Sequence, residues 1–158
     1  MRISDLKPAL DRLYEDFNYP DSAADPIQIV RRYDRADDRE VVGLVAASLA
    51  FGRVSSVLQS IERMMAAIGP RPADYVRRFD CRRDGPAFAD IVHRWTGGSD
   101  LVALLWMVRQ MIDRDGSIEG FFLAGADDSA VDVESAIESF STRALALDLK
   151  AAYGRVPR

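Results

Sequence analysis

Apolar residues recur every three or four positions along almost the whole chain, and no segment alternates them at every second position. A period near 3.6 buries one face of a helix, whereas a half-buried strand needs a period of two. The chain is therefore expected to be all-α, an orthogonal bundle of about seven to nine helices joined by short loops. Its 158 residues suffice for one core, since a chain of this size buries about 70% of its unfolded surface. The expected organisation is a single unit over 1–158, with a leading helix over about 4–17, a helical core over about 26–147 and no second domain.

Ser4 is a suitable cap for the leading helix, whose Leu6, Leu10, Leu13, Tyr14 and Phe17 share one face. Pro26 can open a short helix, "PIQIVRRY". In "DDREVVGLVAASLAFG", Asp37 and Glu40 have the spacing of a capping box and Gly52 is a natural terminator. Val41, Val42, Leu44, Val45, Leu49 and Phe51 surround that helix, which is expected to be central and buried. The stripe from Val54 to Ile68 predicts an amphipathic outer helix ended by Gly69-Pro70. A short helix is expected over 72–79, then a polar loop around "CRRDGP". Ser99 is expected to cap "DLVALLWMVRQMIDRD", with Gly116 closing it and Ser117 starting the next helix. A last helix is expected from about Asp132 to Leu147, with Val133, Ile137, Phe140 and Ala144 inward.

The formal charge is -4 and the isoelectric point about 5.0, so any basic footprint for nucleic acid has to be local. One cysteine, Cys81, excludes an intrachain disulfide and a cysteine-based metal cluster. The start "MRISDLKPAL" has no signal-peptide core, and "VVGLVAASLAF" is too short to span a bilayer. A soluble, cytoplasmic chain without a membrane partner is expected. No Gly-x-Gly-x-x-Gly or P-loop motif is present, and no cofactor is expected.

His93 is the only histidine, so a histidine-based metal site is ruled out and a Ser-His-Asp triad has little support. In "IVHRW" it reads as a structural, hydrogen-bonded residue beside Arg94 and Trp95. Eight acids and one arginine lie between Asp113 and Glu138, a run expected to form a solvated face. Beyond it, Arg143, Lys150, Arg155 and Arg158 stand against Asp148 and could meet phosphate. "FGRVSS" has two readings. Gly52 permits close backbone approach, Arg53, Ser55 and Ser56 can donate to phosphate, and a helix N-terminus favours an anion. The same residues also serve as a plain helix corner, and spacing alone leaves both open.

The runs "DPIQIVRRYDRADDREVVGLVAASLAFGRVSSVLQSIERMM" and "HRWTGGSDLVALLWMVRQMIDRDGSIEGFF" resemble an uncharacterised bacterial family, described only as a conserved domain of unknown function. The resemblance covers the chain from about Leu6 to Arg158, and His93, Arg94 and Trp95 belong to its motif. That family is in turn distantly similar to the helix-hairpin-helix DNA glycosylases of the endonuclease III and adenine glycosylase type. In those enzymes a buried helix turns sharply into an amphipathic one, and the turn faces DNA. Here "LVAASLAFGRVSSVL" fills those positions. The glutamine often found at the turn falls at or near Gly52, which leaves contact to the backbone and Arg53. The phosphate-binding hairpin of "LPGVGxxxA" type and the aspartate of a "VDxH"-like segment are not in these residues. Members of the family are longer, with an "LDxH"-like segment in their second half. The resemblance thus implies an N-terminal part of a glycosylase-like fold, incomplete at its C-terminus, with no catalytic residue and no metal ligand of its own.

Three functions remain at this point: a DNA-binding or DNA-repair-related protein, a fold relative that has lost catalysis and still binds DNA, and a non-catalytic helical adaptor for protein. Apolar stripes on 54–68 and 99–115 are expected to lack part of their cover, which would promote self-association.

Overall fold

The computed structural model describes residues 3–18, 25–126 and 132–154. All regular structure there is helical, apart from one isolated bridge between His93 and Thr96. The helices are α1 Ile3–Phe17, α2 Ile27–Val30, α3 Ala36–Ser48, α4 Val54–Ile68, α5 Pro72–Arg77, α6 Cys81–Asp84, α7 Gly98–Asp115, α8 Ile118–Leu123, α9 Glu134–Leu145 and α10 Lys150–Tyr153. A 3-10 turn, Gly85–Phe88, follows α6. The protein is all-α. It has more helices than expected because α6, which falls where a polar loop was expected around "CRRDGP", and α10 are four residues each, too short to show a period.

The core forms where α3, α4, α5 and α7 meet. Val41, Val42 and Val45 of α3, Ile61 and Met64 of α4, Val76 of α5 and Leu101, Leu105 and Val108 of α7 are buried in one cluster, closed by Phe79 and Phe88. A smaller cluster of Met111, Phe121 and Ala144 joins α7, α8 and α9. Apart from the exposed Val54, the stripes of α4 and α7 are thus largely covered, contrary to the expectation that they would lack part of their cover. The apolar surface lies elsewhere: Leu6, Leu10, Leu13, Tyr14 and Phe17 of α1 are between 37% and 67% exposed.

Several local expectations are corrected. Arg35 is the N-cap of α3 and offers no side-chain bond, so Asp37 and Glu40 form no capping box. Asp37 instead pairs with Arg35 and Arg77, and those guanidinium groups, Arg35 first, hold its carboxyl well below the usual carboxylate range. Glu40 reaches across the fold and accepts from the Ile118 and Glu119 amides at 2.7 and 3.1 Å, capping α8. The neighbouring Asp38, buried, accepts from the Ala73 amide at the start of α5. Helix α3 ends at Ser48, four residues before Gly52. Helix α7 starts at Gly98 rather than behind Ser99, with Asp100 accepting from the Gly97 amide at 2.8 Å. A β-carbon at Gly98 would lie 2.5 Å from the Phe88 carbonyl oxygen, so only glycine permits that approach. In α9 the inward residues are Ala136, Phe140 and Ala144, while Val133 and Ile137 are exposed. The Phe140 ring meets Phe121 of α8 edge-on, with centroids 5.4 Å apart. Gly116 closes α7 and Ser117 caps α8, accepting from the Gly120 amide. Arg155 and Arg158 lie outside the described residues.

Candidate functional site

Between α3 and α4 the chain turns through residues 49–53. Gly52 has φ +107°, a backbone region that side chains disfavour, and its missing β-carbon leaves space that the Arg94 guanidinium occupies. A β-carbon there would stand 2.9 Å from Arg94 Nε. The plain corner of the sequence is thus a contact with a segment some 40 residues away.

That segment is a tight two-residue turn. The His93 and Thr96 amides each donate to the other residue's carbonyl at 2.9 Å, with Arg94 and Trp95 at the tip. Arg94 has φ +58°, the single non-glycine with positive φ among the described residues. Such a conformation costs an ordinary residue about 1–2 kcal/mol, so the surrounding structure has to hold it.

His93 supplies the hold. It is buried; Nε2 lies 2.9 Å from the Phe51 carbonyl and Nδ1 lies 2.9 Å from the Ser60 hydroxyl. A carbonyl only accepts, so Nε2 carries a proton. Ser60 Oγ also lies 2.9 Å from the Ser56 carbonyl. The Ser60 hydroxyl thus stands between the imidazole and the Ser56 carbonyl, which ties the ring to the first turns of α4. The Phe51 ring meets His93 edge-on, with centroids 4.6 Å apart, and stacks on Trp95 at 4.8 Å with 16° between planes.

Together the two segments frame a cleft of about 440 Å³, lined by Arg53, Ser56, Gln59 and Ser60 on one side and Val92, His93 and Arg94 on the other. Two of these residues are arginines and none is an acid. Among the described residues, neither the Arg53 nor the Arg94 side chain makes an ion pair or hydrogen bond. By contrast Arg32, Arg35, Arg71, Arg77, Arg83, Arg109 and Arg143 all face carboxylates. Arg53 is also the N-cap of α4, a helix of 15 residues, and no side chain caps that end. Its first amides and the positive end of the helix dipole therefore stand beside an arginine pair without counter-ions.

Of the residues singled out in the sequence, Arg53, Ser56, His93 and Arg94 line the cleft, and Gly52 adjoins it. Ser55 is exposed on the first turn of α4 and lies outside the lining, as does Trp95 at the turn's tip. Gln59 and Ser60 were missed. A signal for Ser60 existed: it interrupts the apolar stripe Val57, Ile61, Met64, and a polar residue on a buried face needs a partner. The acidic run also finds specific work. Asp113 pairs with Arg109, and Asp115 lies 3.9 Å from Arg143, whose guanidinium covers the Phe121 ring.

A family model described as "Protein of unknown function (DUF2400)" matches residues 25–156. No curated protein and no solved structure matches the chain.

Proposed function

The chain belongs to the DUF2400 family of proteins of unknown function, and we propose that it binds DNA through the phosphodiester backbone at the joint of residues 51–56 with 92–96. The observation that carries this reading is the pair Arg53 and Arg94, both without a counter-ion, at a cleft with no acid in its lining. A buried or paired arginine would be spent on the fold; both of these are exposed and unpaired, although the Arg94 guanidinium also packs over Gly52. The α4 N-terminus and the Ser56 hydroxyl add neutral donors of the kind that contact phosphate. The reading agrees with the resemblance to the helix-hairpin-helix glycosylases, in which the equivalent turn faces DNA. No catalytic role is assigned to any residue of this chain.

The test is binding of a labelled oligonucleotide duplex by fluorescence anisotropy over a range of salt concentrations. Arg53→Ala and Arg94→Ala should each weaken binding uniformly across sequences and reduce the salt slope by about one phosphate contact. Melting temperatures should hardly move for Arg53→Ala, because an exposed, unpaired arginine contributes little to folding. Affinity and slope unchanged in both variants at low salt would return the joint to a structural role.

A second reading, protein contact, is supported by the exposed apolar face of α1. Among the described residues no other helix covers it, though its C-terminal end borders Ile27 of α2, and such an apolar stripe on a helix surface is a common basis for association.

A further inference from the structure

We propose that the joint receives an unpaired nucleotide, its base stacked on Trp95 and the adjoining phosphate held by Arg53 and Arg94. The proposal rests on the phosphate reading above and names the form of nucleic acid that the site takes. Trp95 is 79% exposed, although tryptophan carries the largest apolar area of any side chain and is highly buried on average. One face of the indole lies nearly parallel to the Phe51 ring at 4.8 Å, which leaves the opposite face open. Below it the stack is fixed: Phe51 rests on the His93 edge, and His93 is tied to the Phe51 carbonyl and to Ser60. The result is an aromatic platform held rigid from beneath, at the tip of a turn whose neighbouring residue, Arg94, has no partner of its own.

A base stacks on such a platform through its π-face, whatever its identity. In a duplex both faces of an internal base are already covered by its neighbours, so the indole has nothing to meet. An unpaired base has a free face. The arginines then supply the backbone contact, since Arg94 adjoins Trp95 in the turn and lines one cleft with Arg53. A rigid aromatic with an open face and two free cations beside it therefore favours single-stranded over paired DNA.

The experiment uses the full 158-residue chain and compares an oligothymidylate with a blunt duplex of the same length at low salt. The single strand should bind more tightly. Trp95→Ala should lower single-strand affinity by roughly 5- to 150-fold, the range expected for one base–aromatic stack, and leave duplex affinity within error. Trp95→Phe should retain most of the single-strand affinity. In a Trp106→Phe background, which leaves one indole, fluorescence should be quenched as oligothymidylate is added. Equal single-strand affinity in Trp95→Ala, or an equal loss on both forms, overturns the proposal. The Arg53→Ala and Arg94→Ala arms separate it from the reading beneath. If they weaken both forms while Trp95→Ala changes nothing, stacking falls and phosphate binding stands. If they weaken neither form, the phosphate reading fails and takes the stacking proposal with it.

Discussion

Arg94 is the residue at which strain and the candidate site coincide. Its φ of +58° is a conformation that glycine adopts freely and arginine does not. The turn retains a side chain there at a cost in stability, which is the pattern of a residue kept for what its side chain reaches. This yields a prediction with opposite signs. Arg94→Gly should leave the stability unchanged or raise it by up to about 1 kcal/mol, as measured by urea denaturation. It should weaken DNA binding at least as far as Arg94→Ala does. A loss of stability on substitution by glycine would show that the guanidinium packed over Gly52 serves the fold instead. Part of this arrangement could be read from residue types, since "FGRVSS" holds groups that can contact phosphate, whereas "HRW" reads as structural. Their meeting could not. The contact depends on a positive φ at Gly52, another at Arg94 and a buried imidazole between them, and none of these leaves a periodic trace in the chain.

At the scale of elements, helices with long apolar stripes are legible, and so are the ends marked by Gly69, Gly116 and Ser117, while the start of α3 is not. Helices α4 and α7 lie where steps of three and four put them, because burial of one face selects the helix over its neighbours. The capping signal of α3 fails because acids near that helix serve other groups. Glu40 sits one turn into α3, at the spacing of a capping box, yet its carboxylate is drawn to the unpaired amides at the start of α8. Glu40→Ala should therefore cost about 1–2 kcal/mol, and amide hydrogen exchange should speed up first in 118–123 rather than in α3. Faster exchange confined to α3 would contradict this assignment. The tie between α7 and α10 gives a dependence on pH. Tyr153 donates to Asp100 at 2.9 Å, and burial first, then Asp100, push its phenol up to about 12 from 10.0. The folded state thus favours the neutral phenol. Its contribution is fully present below about pH 10, the unfolded value, and is lost as pH rises toward about 12. In a Tyr153→Phe variant the last phenolate step in an ultraviolet titration should vanish, together with the loss of stability over that window. A late step that persists in the variant would assign it to another tyrosine.

For the whole molecule, a net charge of -4 opposes approach to DNA, so binding at the joint has to be local and steeply dependent on salt. The other surface open to a partner is α1, and its chemistry differs. It is a 15-residue helix with Pro8 inside and, among the described residues, no other helix covering its apolar face. Isolated helices of that length are marginal in water even without an internal proline. Cover on the stripe of Leu6, Leu10, Leu13, Tyr14 and Phe17 would stabilise it, and the simplest cover is the same stripe of a second copy. Sedimentation equilibrium should then show a monomer–dimer exchange. Leu10→Glu combined with Tyr14→Glu should weaken the dimer by at least roughly tenfold, since each copy loses two apolar side chains that contribute about 1.5–3 kcal/mol apiece when fully buried. Neither substitution touches the joint, so DNA affinity per chain should be retained. A wild-type chain that stays monomeric at high concentration, or a double variant that dimerises as tightly, would leave α1 without this partner.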